Sequence, residues 1–126
     1  MLTATCHCGA IQISIPHAPT EVTNCNCSIC RRLGALWAYY DVGTVTVTGH
    51  PARTAEYIQG EKTLRVVRCS HCGCTTHWEP LGTDKHPKLG VNIRNFEPNE
   101  IGNVRIRLLD GAKTWRYVEW NAKNGN

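Results

Sequence analysis

Three short clusters hold all eight cysteines of this 126-residue chain. They are Cys6-His7-Cys8-Gly9, Cys25-Asn26-Cys27-Ser28-Ile29-Cys30 and Cys69-Ser70-His71-Cys72-Gly73-Cys74. Two thiolates separated by one or two residues can bind the same ion only where the chain bends, and a following glycine supplies the conformational freedom for such a bend. The spacing therefore indicates that the cysteines bind metal.

The two outer clusters predict a structural zinc site. Zinc prefers four ligands in a tetrahedron, and Cys69-x-x-Cys72-Gly73 has the spacing of a zinc knuckle. Two remote pairs can complete one site, so we assign it to Cys6, Cys8, Cys69 and Cys72. His7 and His71 lie between these cysteines and are the alternative ligands, although the four thiols already complete the set.

The middle cluster offers only three ligands, Cys25, Cys27 and Cys30. Three protein ligands leave a coordination position open, which is typical of a catalytic zinc. Arg31 and Arg32 follow directly and add positive charge for an anionic ligand. We therefore predict a labile, catalytic zinc at this triplet.

Cys74 is the eighth thiol, and its spacing leaves its role open. Three roles are open: a buried strand residue, a fourth ligand for the triplet, or a resolving thiol. The first is favoured because buried free cysteines are common.

Composition restricts the class of protein. The formal net charge of +4 falls further once thiolates bind zinc, which argues against a nucleic-acid binder. No apolar stretch is long enough to span a membrane, and the first residues lack the features of a secretory signal. We therefore expect a cytoplasmic protein with reduced thiols, with disulfides as the alternative, and all-thiolate sites favour zinc over iron.

The elements that must position these clusters are short β-strands. Period-two alternation and breaks at Gly, Pro and Asn predict strands at 10–15, 22–25, 36–41, 44–48, 55–58, 63–68, 75–79, 89–93 and 104–109. A helical turn is expected from Ser28, as the N-cap, to Gly34, and a loop at 81–87. We predict a single, mainly β domain over residues 1–120 and a flexible tail at 121–126.

Other side chains are candidates for a substrate pocket. Trp37, Tyr39, His77 and Trp78 either line a pocket near the triplet or belong to the core. Arg94 and Asn95 either hold a substrate carboxylate or form a solvated strand end.

The cysteine clusters, together with Thr76-His77-Trp78, resemble the glutathione-dependent formaldehyde-activating enzyme family, which includes centromere protein V. The resemblance covers about the first hundred residues. It implies small antiparallel β-sheets of the Mss type. It also implies a structural zinc at Cys6, Cys8, Cys69 and Cys72, and a labile catalytic zinc at Cys25, Cys27 and Cys30.

The activity that the resemblance implies is that of a carbon–sulfur lyase. Such an enzyme would join glutathione and formaldehyde as S-hydroxymethylglutathione, with glutathione as the small-molecule thiol partner. The alternatives are a non-catalytic zinc module for a protein or chromatin partner, and a redox or metal-buffer protein. A binding module gains nothing from an open coordination position, so the triplet favours the enzyme.

Overall fold

The computed structural model describes residues 1–60, 62–82 and 87–118. Eleven strands and two short helices are found there. In chain order they are β1 Leu2–Thr5, β2 Gln12–Ile15, β3 Glu21–Cys25, α1 Ser28–Leu33, β4 Trp37–Asp41, β5 Thr46–Thr48, β6 Thr54–Ile58, β7 Leu64–Cys69, β8 Thr75–Pro80, β9 Lys88–Asn92, α2 Pro98–Ile101, β10 Arg105–Leu109 and β11 Tyr117–Val118. A 3₁₀ turn, Ile93–Asn95, links β9 to α2. The prediction of a mainly β fold is confirmed.

The strands form two sheets. The smaller has the order β1-β2-β5, and the larger has the order β11-β10-β3-β4-β9-β8-β7-β6. All pairings are antiparallel except that of β10 with β3, which is parallel. Parallel neighbours need a long connection, and the chain between β3 and β10 supplies most of the larger sheet.

The core lies between the two sheets. Apolar and polar residues alternate in β2, so the apolar ones face the core. Ile13 and Ile15 are fully buried, whereas Gln12 is exposed. These isoleucines pack with apolar residues of β3, β4 and β9, among them Val22, Ala38 and Val91. Burial of this apolar surface is the main term that holds the sheets together. A second, smaller cluster surrounds Cys6, Ile11 and Cys69 and joins the cysteine turns to the core.

Several element boundaries differ from the predictions. β1 was not expected, and it forms because residues 2–5 pair with β2. Ser28 is not the cap of α1, because Cys27 occupies the N-cap position and makes no side-chain capping bond. Gly34 does end the helix, with a φ of 67° that a residue with a side chain rarely adopts.

Two predicted segments lie partly or wholly outside the described residues. Residues 83–86 of the expected loop and the expected tail at 121–126 lie outside the described residues. Within the described part of the chain, no helix is long and apolar enough to cross a membrane.

Candidate metal centres and the aromatic pocket

Two tight turns bring the outer cysteine clusters together. The turn between β1 and β2 carries Cys6 and Cys8, and the turn between β7 and β8 carries Cys69 and Cys72. The first turn closes with a bond from Gly9 N–H to the Cys6 carbonyl three residues back (3.1 Å), and the second with a bond from Gly73 N–H to the Cys69 carbonyl four residues back (3.0 Å). Both glycines have positive φ, 85° and 78°, so the turns need residues without a Cβ there.

The four sulfurs are arranged as a tetrahedral ion requires. They all lie within 4.8 Å of one another, with Cys6 Sγ 3.7 Å from Cys8 Sγ and Cys8 Sγ 3.6 Å from Cys69 Sγ. The edge of a zinc–thiolate tetrahedron is about 3.8 Å, so these thiols fit the predicted zinc. Their role as its ligands stays a prediction.

Backbone N–H groups point at these sulfurs and favour thiolates. Ile11 N–H donates to Cys6 Sγ at 3.3 Å, and His71 N–H donates to Cys69 Sγ at 3.4 Å. Burial alone would raise the pKa of Cys72, but hydrogen bonds from the backbone of Cys74 and Cys8 outweigh it and lower that pKa to about 5. Since metal binding requires thiolates, the turns are preorganised for it.

Cys74 packs beside the four-thiol cluster and not beside the triplet. It contacts the small core cluster of Cys6, Ile11 and Cys69. Its place beside Cys6 and Cys69 removes it as a fourth ligand of the triplet, and it is not the buried strand residue considered above, because it is half-buried and precedes β8.

The triplet forms where β3 runs into α1. Cys25 is the last residue of β3, Cys27 is the N-cap of α1, and Cys30 lies in the first turn of the helix. Their sulfurs lie within 4.8 Å of one another. Cys27 N–H donates to Cys25 Sγ at 3.4 Å, and the Trp37 indole Nε1–H donates to Cys30 Sγ at 3.3 Å. The structure therefore brings the three predicted residues together, and their role as zinc ligands stays a prediction.

Two thiols of the triplet, Cys25 and Cys30, have their pKa values shifted in opposite directions. A hydrogen bond from the Cys30 thiol lowers the pKa of Cys25 to about 6, with help from the backbone N–H groups of Cys27 and Gly111. The same hydrogen bond and partial burial raise the pKa of Cys30. Without metal, Cys25 is therefore the thiolate of this pair, and its neighbours stabilise it.

The loop that follows β10 closes one side of the triplet. The Asn26 side chain donates to Asp110 Oδ1 at 3.2 Å and accepts from Ala112 N–H at 2.9 Å. Gly111 lies so close that a Cβ there would come within 2.6 Å of Cys25 Sγ and 3.0 Å of Cys27 Cβ. The glycine is needed for this close approach, a role that sequence reasoning did not identify.

The sulfurs of the triplet face an aromatic pocket of about 400 Å³. Its aromatic walls are Trp37, Tyr39, Trp78 and Trp115. A Cβ on Gly90 would overlap the Trp78 indole, so this glycine lets the ring lie against β9. Burial raises the pKa of Tyr39 to about 12, which keeps its hydroxyl protonated at neutral pH.

A second, more polar cleft of about 680 Å³ adjoins this pocket. The two share Cys27, Gln59, Leu64 and Trp115. Arg31 lines the polar cleft, so one of the two predicted arginines is close to the triplet. Arg32 instead donates to the Ser28 carbonyl at 2.7 Å on the exposed face of α1.

Three of the other predicted pocket residues lie elsewhere. His77 does not line the aromatic pocket, because consecutive strand residues face opposite sides of a sheet and Trp78 already occupies the pocket side. Arg94 and Asn95 line a different cleft, beside His7 and Cys74. Asn95 donates to the Thr75 carbonyl at 2.9 Å, which gives it a structural role.

Comparison with known proteins identifies the family. The family model described as glutathione-dependent formaldehyde-activating enzyme matches residues 1–105. The chain belongs to this family. The family match spans all three cysteine clusters and ends within the 105–109 strand.

One solved structure is similar to this chain over most of its length. It is a crystal structure of a Rhodobacter sphaeroides protein from a structural genomics programme, with 28% sequence identity and a TM-score of 0.68. The alignment covers 83% of this chain and 99% of that one. No curated protein matches the chain significantly.

Proposed function

We propose that this chain is a zinc-dependent carbon–sulfur lyase that acts on a thiol–aldehyde adduct, with glutathione and formaldehyde as the substrate pair. In the synthetic direction the thiol sulfur bonds to the carbonyl carbon, and the thiol proton passes to the carbonyl oxygen. The reverse reaction breaks that carbon–sulfur bond. The observation that carries the proposal is the position of three thiols at an aromatic pocket in a member of this family.

The two cysteine sites would have different tasks. Cys6, Cys8, Cys69 and Cys72 would hold a structural zinc, because four thiolates leave no position open. Cys25, Cys27 and Cys30 would hold a second zinc with a position open to the pocket. When bound there, zinc would supply positive charge that lowers the pKa of a substrate thiol and so makes it nucleophilic.

The chain's own residues would orient the reactants. Formaldehyde adds to thiols readily without a catalyst, so positioning is the main contribution to expect. Tyr39 lines the pocket with a hydroxyl that stays protonated, and it would donate a hydrogen bond to the aldehyde oxygen as negative charge develops there. The indoles of Trp37 and Trp78 would exclude water from the reacting atoms.

The adjoining polar cleft supports a peptide-like thiol. Glutathione carries two carboxylates on a short polar backbone, and Arg31 is the cationic residue of this cleft. An arginine can bind a carboxylate through two parallel hydrogen bonds. With the thiol at the triplet, one carboxylate would reach Arg31 and the backbone would lie against Gln59 and Thr63.

The test is an exchange measurement at equilibrium, because the uncatalysed reaction is fast. NMR exchange spectroscopy with ¹³C-formaldehyde gives the rate at which the hydroxymethyl group leaves and rejoins glutathione. The wild-type protein should accelerate this exchange, whereas Cys27→Ser should not, although it remains folded. Cys74→Ser is the matched control, since it makes the same change of thiol to hydroxyl outside the triplet. Equal acceleration by wild type and Cys27→Ser would contradict the proposal.

The same experiment tests the choice of thiol. Replacing glutathione by 2-mercaptoethanol removes both carboxylates, so the acceleration should fall, and Arg31→Ala should reduce the difference between the two thiols. Zinc in both sites without acceleration for any thiol would favour the alternative, a non-catalytic zinc module for a protein partner.

A further inference from the structure

A third group of potential metal ligands lies apart from the cysteines. His50 Nε2 and His77 Nε2 are each 2.7 Å from the same atom, Oε1 of Glu79. The two imidazole rings meet edge to face, with centroids 5.2 Å apart. The His77 side chain is 3% exposed, His50 is 17% exposed and Glu79 is 27% exposed. Three ligand atoms of the types that divalent transition metals prefer thus converge on one point.

The other nitrogen of each ring is held by a threonine. His50 Nδ1 lies 2.7 Å from Thr54 Oγ1, and His77 Nδ1 lies 2.9 Å from Thr76 Oγ1. Each hydroxyl also donates its one proton to a backbone carbonyl, that of Pro51 for Thr54 and that of Val67 for Thr76. Since a carbonyl cannot donate, the hydroxyls accept from the rings, and each ring carries its proton on Nδ1.

With Nδ1 protonated, Nε2 of each ring either binds a metal ion through its lone pair or donates a hydrogen bond to Glu79 Oε1. The 2.7 Å gaps between each Nε2 and Glu79 Oε1 are hydrogen-bond distances, and one divalent cation among these three atoms would replace both hydrogen bonds. Metal-binding histidines are oriented in the same way, through a hydrogen bond at the nitrogen that does not bind the ion. Arg65, which pairs in register with Glu79 across the β7–β8 hairpin, does not serve as this cation, because its guanidinium donates to Glu56 Oε2 at 2.7 Å.

The cluster opens into a cleft of about 280 Å³ between the two sheets. Apart from the three ligand side chains, the wall of this cleft is largely aliphatic, formed by Val42, Val45, Val47, Pro80, Leu81 and Leu89. Because His77 and Trp78 face opposite sides of the larger sheet, this cleft is separate from the aromatic pocket.

We propose that His50, His77 and Glu79 form a third metal site, which binds a divalent transition-metal ion of the zinc class. Two imidazoles and one carboxylate complete three of its coordination positions, and the fourth faces the aliphatic cleft, where water or a small anionic ligand binds. The site is independent of the function proposed for the triplet. Zinc–nitrogen and zinc–oxygen bonds of about 2.0–2.2 Å place tetrahedral ligands about 3.4 Å apart, so each ring withdraws from Glu79 by about 0.7 Å.

The first test counts zinc ions by native mass spectrometry after the protein is titrated with zinc chloride. The wild-type chain should bind one more zinc ion than Glu79→Gln or His50→Gln, whatever the occupancy of the cysteine sites. Glu21→Gln is the matched control, since it removes a carboxylate from β3 of the same sheet, where Glu21 pairs with Arg107 and not with the cluster. Thr54→Val, which removes only the hydroxyl behind His50, should weaken binding of this ion about 10–100-fold.

The second test does not depend on the folding of any variant. In ¹⁵N-labelled wild-type protein, zinc should shift the Nε2 resonances of His50 and His77 and leave those of exposed His17 in place. Equal zinc counts for wild type and a folded Glu79→Gln protein would overturn the proposal. So would Nε2 resonances of His50 and His77 that do not move at saturating zinc.

Discussion

Cys25 and Cys30 show how much two neighbouring thiols of one type can differ. The hydrogen bond between them lowers the pKa of Cys25 to about 6 and raises that of Cys30, because one sulfur donates and the other accepts. Trp37 and the backbone around Cys27 add further donors. Because metal binds thiolates, a cluster in which one thiol is already deprotonated releases fewer protons when metal binds.

This difference predicts selective alkylation when the triplet is empty and the four-thiol site is filled. An ordinary thiol has a pKa of about 8.5, whereas Cys25 is a thiolate above its pKa of about 6. After a weak chelator has removed the labile metal of the triplet and left the four-thiol site filled, iodoacetamide should modify Cys25 at pH 7, at a rate that rises between pH 5 and about pH 7 and then levels off. Peptide mass spectrometry at each pH gives the profile. Cys30 is the internal control, and labelling of Cys30 before Cys25 would contradict the assignment.

Tyr39 gives a second prediction for a single residue. Tyr39 lines the pocket, and its protonated hydroxyl, which hydrogen-bonds Thr23, would stabilise an oxygen that gains negative charge. Tyr39→Phe should slow the enzyme-dependent exchange of glutathione and formaldehyde by about 10²-fold, the size seen when one such donor is removed. Tyr57→Phe, on the exposed face of β6, is the matched control. If both variants kept the wild-type rate, Tyr39 would have no part in the reaction.

At the scale of elements, the triplet depends on three segments that are distant in sequence. β3 supplies Cys25, α1 supplies Cys27 and Cys30, and the loop after β10 covers them. The parallel pairing of β10 with β3 fixes this loop beside the triplet, since Leu109 lies opposite Cys25 in the register. A helix of only six residues would be marginal alone and is held by these neighbours.

Gly111 is therefore a sensitive point of the loop. A Cβ at Gly111 would lie 2.6 Å from Cys25 Sγ, so Gly111→Ala should push this sulfur out of the triplet and weaken its metal binding roughly 10–100-fold. The four-thiol site should be unaffected. Zinc competition with a chromophoric chelator measures both. Gly82→Ala is the control, because a Cβ at Gly82 meets no atom within 4 Å, and equal zinc affinity in the two variants would contradict this role.

At the scale of the whole molecule, the four-thiol cluster connects the two sheets. Cys6 and Cys8 lie in the turn between β1 and β2 of the smaller sheet, and Cys69 and Cys72 lie at the β7–β8 hairpin of the larger one. The two turns meet across 61 residues of sequence, between Cys8 and Cys69. A metal here would close a long loop and restrict the unfolded chain, and it would add to a core of modest size.

Loss of one thiol from this cluster should unfold the chain. Structural zinc contributes about 10–16 kcal/mol in small zinc domains, which is comparable with the whole stability of about 5–15 kcal/mol of a typical domain. Cys72→Ser should therefore abolish the cooperative thermal transition seen by circular dichroism. Cys74→Ser, two residues away, and Cys27→Ser in the triplet should both retain it. A folded Cys72→Ser protein with unchanged zinc content would exclude the structural role.

Local features of this protein follow from the sequence alone. The cysteine spacings, the glycines that close the turns and the period-two strands are encoded within a few residues, and the structure has them where they were expected. The same periodicity already implied that His77 and Trp78 face opposite sides of a strand, although both were considered for one pocket.

Only the tertiary structure decided which remote segments meet. The sequence did not show that Cys74 packs at the four-thiol cluster, that Gly111 and Trp115 close the triplet, or that His50 approaches His77 and Glu79. Such contacts depend on sheet order and register, which arise from packing over the whole chain. They therefore produce no recognisable spacing of residues in the local sequence. The sequence thus determined the kinds of ligands and turns, and long-range strand pairing determined which of them form a site.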